Sequence, residues 1–224
     1  MRKRDKGMRG TLVTMERVEN QISEEFRSLR SNIKFASFNK NIKTIVITSP
    51  SSGDGKTMTA ANLAMVFSQE GKKVLLVDAD LRKPSIHYMY GLVNDCGLCN
   101  FLIGQKDINA IIRSVYPNID VITSGLTPPN PPELLGSVQM SDFISEVREQ
   151  YDVVVFDTPP VLAVTDATLI ANQSDGCLLV VRVKKNDVKD VIKVKEQLHF
   201  AGANLLGAVI NGKKQVKNEY YYKK

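Results

Sequence analysis

The sequence has no tryptophan, only two histidines and three cysteines, and aromatic residues make up 7% of its 224 positions. No apolar run reaches the roughly 18 residues that a membrane-crossing helix needs. The opening MRKRDKG leads into no apolar stretch of the kind a secretory signal contains. These absences exclude an integral membrane or exported protein from the expectation. Cys96, Cys99 and Cys177 are too sparse, and odd in number, for a disulfide framework, and they fit reduced cytoplasmic thiols. Cys96-Gly97-Leu98-Cys99 spells a CxxC, but zinc needs two more ligands and His87 and His199 are the only histidines. The pair reads as incidental. No aromatic-basic platform for nucleic acid is present either.

Hydrophobic residues at 43% and charged residues at 24% are ordinary for a globular chain. This length buries a core that needs no metal or disulfide staple. The net charge of +6 is concentrated at the ends: residues 1–10 and 213–224 carry +4 each, leaving −2 for residues 11–212. Such tails suit an anionic membrane surface or an acidic partner, and equally suit solvated ends that aid solubility.

Short β-branched runs end near residues 48, 77, 123, 156, 181 and 210, and amphipathic stretches lie near 22–38, 57–70, 107–114, 140–150 and 188–201. Continuous apolar runs suit strands buried on both faces, and their alternation with helices predicts an α/β, doubly wound, mostly parallel sheet flanked by helices. Thr127-Pro128-Pro129-Asn130-Pro131-Pro132 reads as a stiff surface loop. The expectation is one domain over 21–212, a flexible basic segment over 1–20, and a flexible tyrosine- and lysine-rich tail over 213–224.

The first strand runs into Ser49-Pro50-Ser51-Ser52-Gly53-Asp54-Gly55-Lys56-Thr57, with a helical pattern from Met58. This is the phosphate-binding P-loop with Pro50 in place of its first glycine. Gly53, Asp54 and Gly55 form an anion nest of backbone N–H groups, backed by the helix N-terminus up to Met58. Lys56 reaches the β- and γ-phosphates, and Thr57 offers a hydroxyl to Mg²⁺. Two further apolar runs end in acid: Val74-Leu75-Leu76-Val77 in Asp78-Ala79-Asp80-Leu81-Arg82, and Val153-Val154-Val155-Phe156 in Asp157-Thr158. Ligands bind at strand C-termini in open α/β sheets, and a shared Mg²⁺ explains buried aspartates there. A single such aspartate could be a helix N-cap; three loops at one edge point to a P-loop NTPase fold binding ATP with Mg²⁺.

These motifs resemble the bacterial tyrosine kinases of the Wzc/CapB type, which serve capsule and exopolysaccharide synthesis. DADLR at 78–82 is similar to their Walker A′ motif and VVVFDTPP at 153–160 to their Walker B. PPNPPEL at 128–134 and the ExxRxxR of Glu24, Arg27 and Arg30 also match. The resemblance implies tyrosine phosphorylation in trans within a homo-oligomeric ring joined through Glu24, Arg27 and Arg30. On spacing alone those three are an intrahelical ion-pair series. It also implies Asp78 as the proton acceptor, Asp80 as a metal holder and Asp157 as anchor of metal-bound water, with Lys56 on the phosphates. Arg82 is a candidate for phosphate or subunit contact. The consecutive Tyr220, Tyr221 and Tyr222 resemble the family's autophosphorylation cluster, and as bare composition they are an ordinary tail.

Asn211 ends the last strand, either touching the nucleotide base or forming an Asn-Gly turn. As for partners, the resemblance implies a transmembrane activator or chain-length modulator with a cytosolic tail, a cognate phosphotyrosine phosphatase, and protein substrates of sugar metabolism. Nucleic acid is not among them. The chain would then be cytoplasmic and recruited to the inner membrane face by its partner. Two alternatives share the fold. One is a MinD/ParA-type positioning ATPase, whose extra lysine five residues before the main one is Ser51 here. The other is a nucleotide-gated adaptor of a membrane polysaccharide machine.

Overall fold

The computed structural model describes residues 21–36 and 41–213. Five β-branched-rich runs become strands whose every residue is buried or nearly so. They are β1 (Thr44–Thr48), β2 (Val74–Asp78), β4 (Ile119–Ile122), β5 (Val153–Asp157) and the first part of β6 (Gly176–Arg182). β7 (Leu205–Asn211) pairs beside β6 at one edge and β3 (Ile112–Tyr116) beside β4 at the other. The order β3-β4-β2-β5-β1-β6-β7 is parallel except for β3. Parallel neighbours bring the C-terminal ends of β1, β2, β5, β6 and β7 to a single edge, and this edge holds the site.

Alternate residues of each strand face opposite sides. Ile45, Ile47, Leu76 and Val155 pack under α2 (Lys56–Ser68), and α1 (Gln21–Ala36) lies over α2. Val46, Leu75, Val154 and Phe156 pack beneath α7 (Val138–Gln150), α8 (Asp166–Asn172) and α9 (Val188–Phe200). α2 is apolar on nearly every side because it is sandwiched between the sheet and α1. Ser137 caps α7 by accepting from the Met140 N–H at 3.3 Å.

The stretch 107–114, expected as a helix, divides instead. α5 (Ile108–Ile111) is one turn long, and β3 follows as an antiparallel hairpin arm turning at Asn118, whose φ is +62°. Pro117-Asn118 makes the turn that returns the chain into β4, so sheet pairing overrides the local helical pattern. Four further short helices were not legible from periodicity: α3 (Ile86–Tyr90), α4 (Leu98–Leu102), α6 (Pro131–Leu135) and α8. α6 begins inside the proline-rich segment, because proline is preorganised for a first helical turn. No helix among the described residues is long and apolar enough to cross a membrane.

Candidate active site

β1 delivers the phosphate loop and α2 receives it. Gly53 and Gly55 adopt φ of +76° and +102°, a region that side chains disfavour. A Cβ on Gly55 would stand 2.0 Å from Asn211 Nδ2, so glycine is required there on steric grounds as well. Lys56 is the first residue of α2 and is 8% exposed; Thr57 and Met58 follow it, half-buried. Asp54 is wholly buried, and its side chain serves the loop itself. Its Oδ2 accepts from the Ser51 N–H at 2.8 Å and from Asn186 Nδ2 at 3.0 Å, and Oδ1 pairs with Lys185 Nζ at 2.9 Å. Asn211 ends β7, where its Nδ2 donates to the Asp54 carbonyl at 2.8 Å and its Oδ1 accepts from the Gly212 N–H. The Asn211 amide is thus committed to the loop.

Asp78 and Asp157 occupy paired register positions on the neighbouring strands β2 and β5, and both are buried. Asp78 Oδ2 accepts from the Ser85 and Ile86 N–H groups at 2.9 and 3.0 Å. Asp157 Oδ2 accepts from Thr57 Oγ1 at 2.6 Å, and that hydroxyl also lies 2.9 Å from Ser85 Oγ. The Oδ1 atom of each carboxylate is buried without a hydrogen-bond partner. Burial is the main force holding both carboxyls above their ordinary range, with the Asp157 charge adding to the effect at Asp78. Two buried carboxylates with orphaned oxygens, beside a threonine hydroxyl, fit a hard divalent cation. Among the described residues no group of three or more His, Cys, Asp and Glu forms a metal cage of its own. That suits Mg²⁺, which keeps waters and takes substrate phosphate oxygens as its other ligands.

Asp80 lies near enough for its charge to add to the rise at both Asp78 and Asp157. It is half-buried, and its Oδ1 accepts from the Arg82 and Lys83 N–H groups at 3.3 and 2.9 Å, closing the turn after β2. Arg82 forks onto the fully buried carboxylate of Asp166, with Nε to Oδ2 at 2.9 Å and NH2 to Oδ1 at 3.1 Å. Its guanidinium is thus engaged within the chain through Nε and NH2. On α1, Arg27 pairs with Glu24 on an exposed face. Arg30 turns inward, donating to the Val66 carbonyl and lying 3.6 Å from Glu70. Tyr220, Tyr221 and Tyr222 lie outside the described residues, as do the 1–20 segment and all of the 213–224 tail except Lys213.

Several residues around the site escaped sequence reasoning. Ser85 and Asp166 act through short elements, α3 and α8, that have no periodic signal. Arg182 ends β6, and Lys185 and Asn186 follow it. The rule that ligands gather at strand C-termini, applied to the sixth strand as to the first three, would have singled them out.

The family model described as AAA domain matches residues 42–199. The tyrosine-protein kinase YwqD of Bacillus subtilis (strain 168) is 45% identical over 96% of this chain and 91% of its own length. The tyrosine-protein kinase etk of Escherichia coli (strain K12) is 37% identical over 89% of this chain and 28% of its own length. The solved kinase domain of Escherichia coli ETK superposes with a TM-score of 0.88 at 34% identity, covering 100% of this chain and 88% of that one. The chimerical protein CapA2B2 superposes at 0.87 and 40% identity, over 91% and 90% of the two chains. The motifs at 53–57, 78–82 and 153–160 fall within the residues that the family model matches, and the chain belongs to the bacterial tyrosine kinase family.

Proposed function

We propose that this chain transfers the γ-phosphoryl group of ATP to tyrosine hydroxyls, modifies its own Tyr220, Tyr221 and Tyr222 in trans within an oligomer, and regulates capsular or extracellular polysaccharide synthesis. One observation carries the reading. A glycine-bent phosphate loop and two register-paired buried aspartates, each with an unpartnered oxygen, meet at one sheet edge.

In this reading the N–H groups of Gly53, Asp54 and Gly55, the α2 N-terminus and Lys56 hold the triphosphate. Thr57, Asp78, Asp80 and Asp157 would hold Mg²⁺, with Asp80 acting directly or through water and Asp157 anchoring metal-bound water. When bound there, Mg²⁺ would supply charge neutralisation at the transferring phosphoryl group. The phenolic oxygen attacks the γ-phosphorus, the bond to the β,γ-bridging oxygen breaks, and ADP leaves. The phenolic proton passes to a carboxylate, for which Asp78 is the choice.

Glu24 and Arg27, exposed on α1, are the residues of that segment open to a neighbouring subunit in a ring; Arg30 supports the helix from within. From the likeness to these kinases we also infer a transmembrane activator with a cytosolic tail that brings this chain to the inner face of the membrane. A phosphotyrosine phosphatase and protein substrates of sugar metabolism complete the set of partners.

The test is intact-mass analysis and peptide mapping after incubation with Mg-ATP, with and without the activator's cytosolic tail. Phosphate on Tyr220, Tyr221 or Tyr222 that disappears in Lys56→Met is the expected result. Steady ATP hydrolysis with no phosphotyrosine under either condition would refute the kinase assignment for this chain and favour a positioning ATPase.

A further inference from the structure

Three consecutive carbonyls of the phosphate loop are gripped from outside by side chains from the β6 and β7 ends. Lys185 Nζ donates to the Ser52 carbonyl, Arg182 NH1 to the Gly53 carbonyl at 2.6 Å, and Asn211 Nδ2 to the Asp54 carbonyl at 2.8 Å. The Asp54 carboxylate anchors the same segment, pairing with Lys185 and accepting from Asn186. In a trans peptide the C=O of one residue and the N–H of the next point in opposite directions. Holding these three carbonyls outward therefore turns the N–H groups of Gly53, Asp54 and Gly55 the other way. Among the described residues none of those three amides has a partner.

The gripping segment is itself tightly built. Asn186 Oδ1 accepts from the Arg182 N–H at 2.6 Å, the Val183 N–H donates to the Asn211 carbonyl at 2.9 Å, and Lys184 sits at φ +64°. A left-handed lysine costs energy and persists only where its surroundings enforce it.

We propose that the β6–α9 connection is a strap that preorganises the phosphate nest, which makes Arg182, Lys185 and Asn186 positioning residues for the nucleotide, acting through Asp54 and the loop carbonyls. This inference rests on the nucleotide-binding part of the function proposed above. It also makes a prediction opposite in sign to plain charge reasoning. Removing the Asp54 carboxylate deletes a negative charge beside the bound phosphates, and Coulomb's law alone then predicts tighter binding. Loss of the strap's anchor predicts weaker binding, by about tenfold, the loss expected when one charged hydrogen-bond link is broken.

The experiment measures the affinity of Mg²⁺-bound, ribose-labelled ADP for the wild-type chain, Asp54→Ala, Lys185→Met and the double variant, with a melting curve for each. Weaker binding by both single variants, with the double variant losing less than the sum of the two, is the expected result, because the two share the Lys185–Asp54 link. Equal or tighter binding by a folded Asp54→Ala overturns the strap. Should Asp54→Ala not fold, Lys185→Met decides, since that side chain is 40% exposed and no core is disturbed. Lower backbone ¹⁵N order parameters at Gly53, Asp54 and Gly55 in Lys185→Met with an unchanged melting temperature support the strap, and unchanged order parameters overturn it. A wild-type chain that bound no nucleotide would defeat the functional reading itself and this inference with it. Wild-type binding with unaffected variants would defeat the strap alone.

Discussion

Replacing Asp157 by asparagine should make the metal-free protein more stable and the nucleotide-bound protein less so. Asp78 and Asp157 face each other in register on adjacent strands and are 0% and 1% exposed. At a strand spacing of roughly 5 Å and an effective dielectric near 20, two full charges would repel by about 3 kcal/mol. Partial protonation relieves some of this, so the amide should stabilise the metal-free fold by about 1–3 kcal/mol. For a domain of this size that is a rise in melting temperature of about 3–10 °C. The asparagine keeps an oxygen to accept from Thr57 Oγ1, so the packing around it survives.

The pH dependence has a definite sign. Burial raises the Asp157 carboxyl to about 7, so the folded state holds more protons than the unfolded chain, and stability falls as pH rises. The advantage of the variant should therefore widen between about pH 4 and about pH 7, and vanish in acid where both carboxyls are protonated in either state. With Mg²⁺ and ADP at a hundredfold excess over the dissociation constant, the wild type gains about 2.7 kcal/mol. The variant should gain little of this. Melting curves with EDTA and with Mg-ADP, across pH, give all the comparisons. A variant that melts below the wild type in EDTA, or that keeps the full Mg-ADP increment, would refute the view that these oxygens await a cation.

Arg82→Ala strands the fully buried Asp166 carboxylate and should cost about 3 kcal/mol in urea denaturation, the low end for such a pair because Arg82 is itself 37% exposed. Gly55→Ala should lose nucleotide affinity through the clash with Asn211, and adding Asn211→Ala should relieve the steric part while leaving the cost of a φ of +102°. For the thiols, Ellman's reagent should find one fast equivalent in the native protein, Cys96, and three after unfolding. Cys99 and Cys177 are buried, and burial lifts the Cys177 thiol to about 12.

The repeated strands and the long helices were legible because a two-sided buried strand and an amphipathic helix each leave a local signature that tertiary context rarely reverses. The helix expected over 107–114 failed where a Pro117-Asn118 turn set up a hairpin, and pairing with β4 outweighed a weak helical period. The short α3, α4, α6 and α8 have too few turns to show any period. Within the site, Gly53, Lys56, Thr57, Asp78 and Asp157 could be read because each sits at the end of an apolar run. What the Asp54 and Arg82 side chains do could not be read in this way, because their partners Asn186 and Asp166 lie more than a hundred and about eighty positions away in the chain.

By itself the sequence determined the fold class, the phosphate loop and the acidic strand ends, since backbone sterics and hydrophobic period act within a few residues. Only the tertiary structure decided which oxygens of Asp78 and Asp157 stay unpartnered, that Arg30 turns inward and Arg82 pairs with Asp166, and that the β6 end grips the phosphate loop. Those outcomes depend on contacts between segments far apart in the chain, which come together only when the parallel sheet aligns its C-terminal ends.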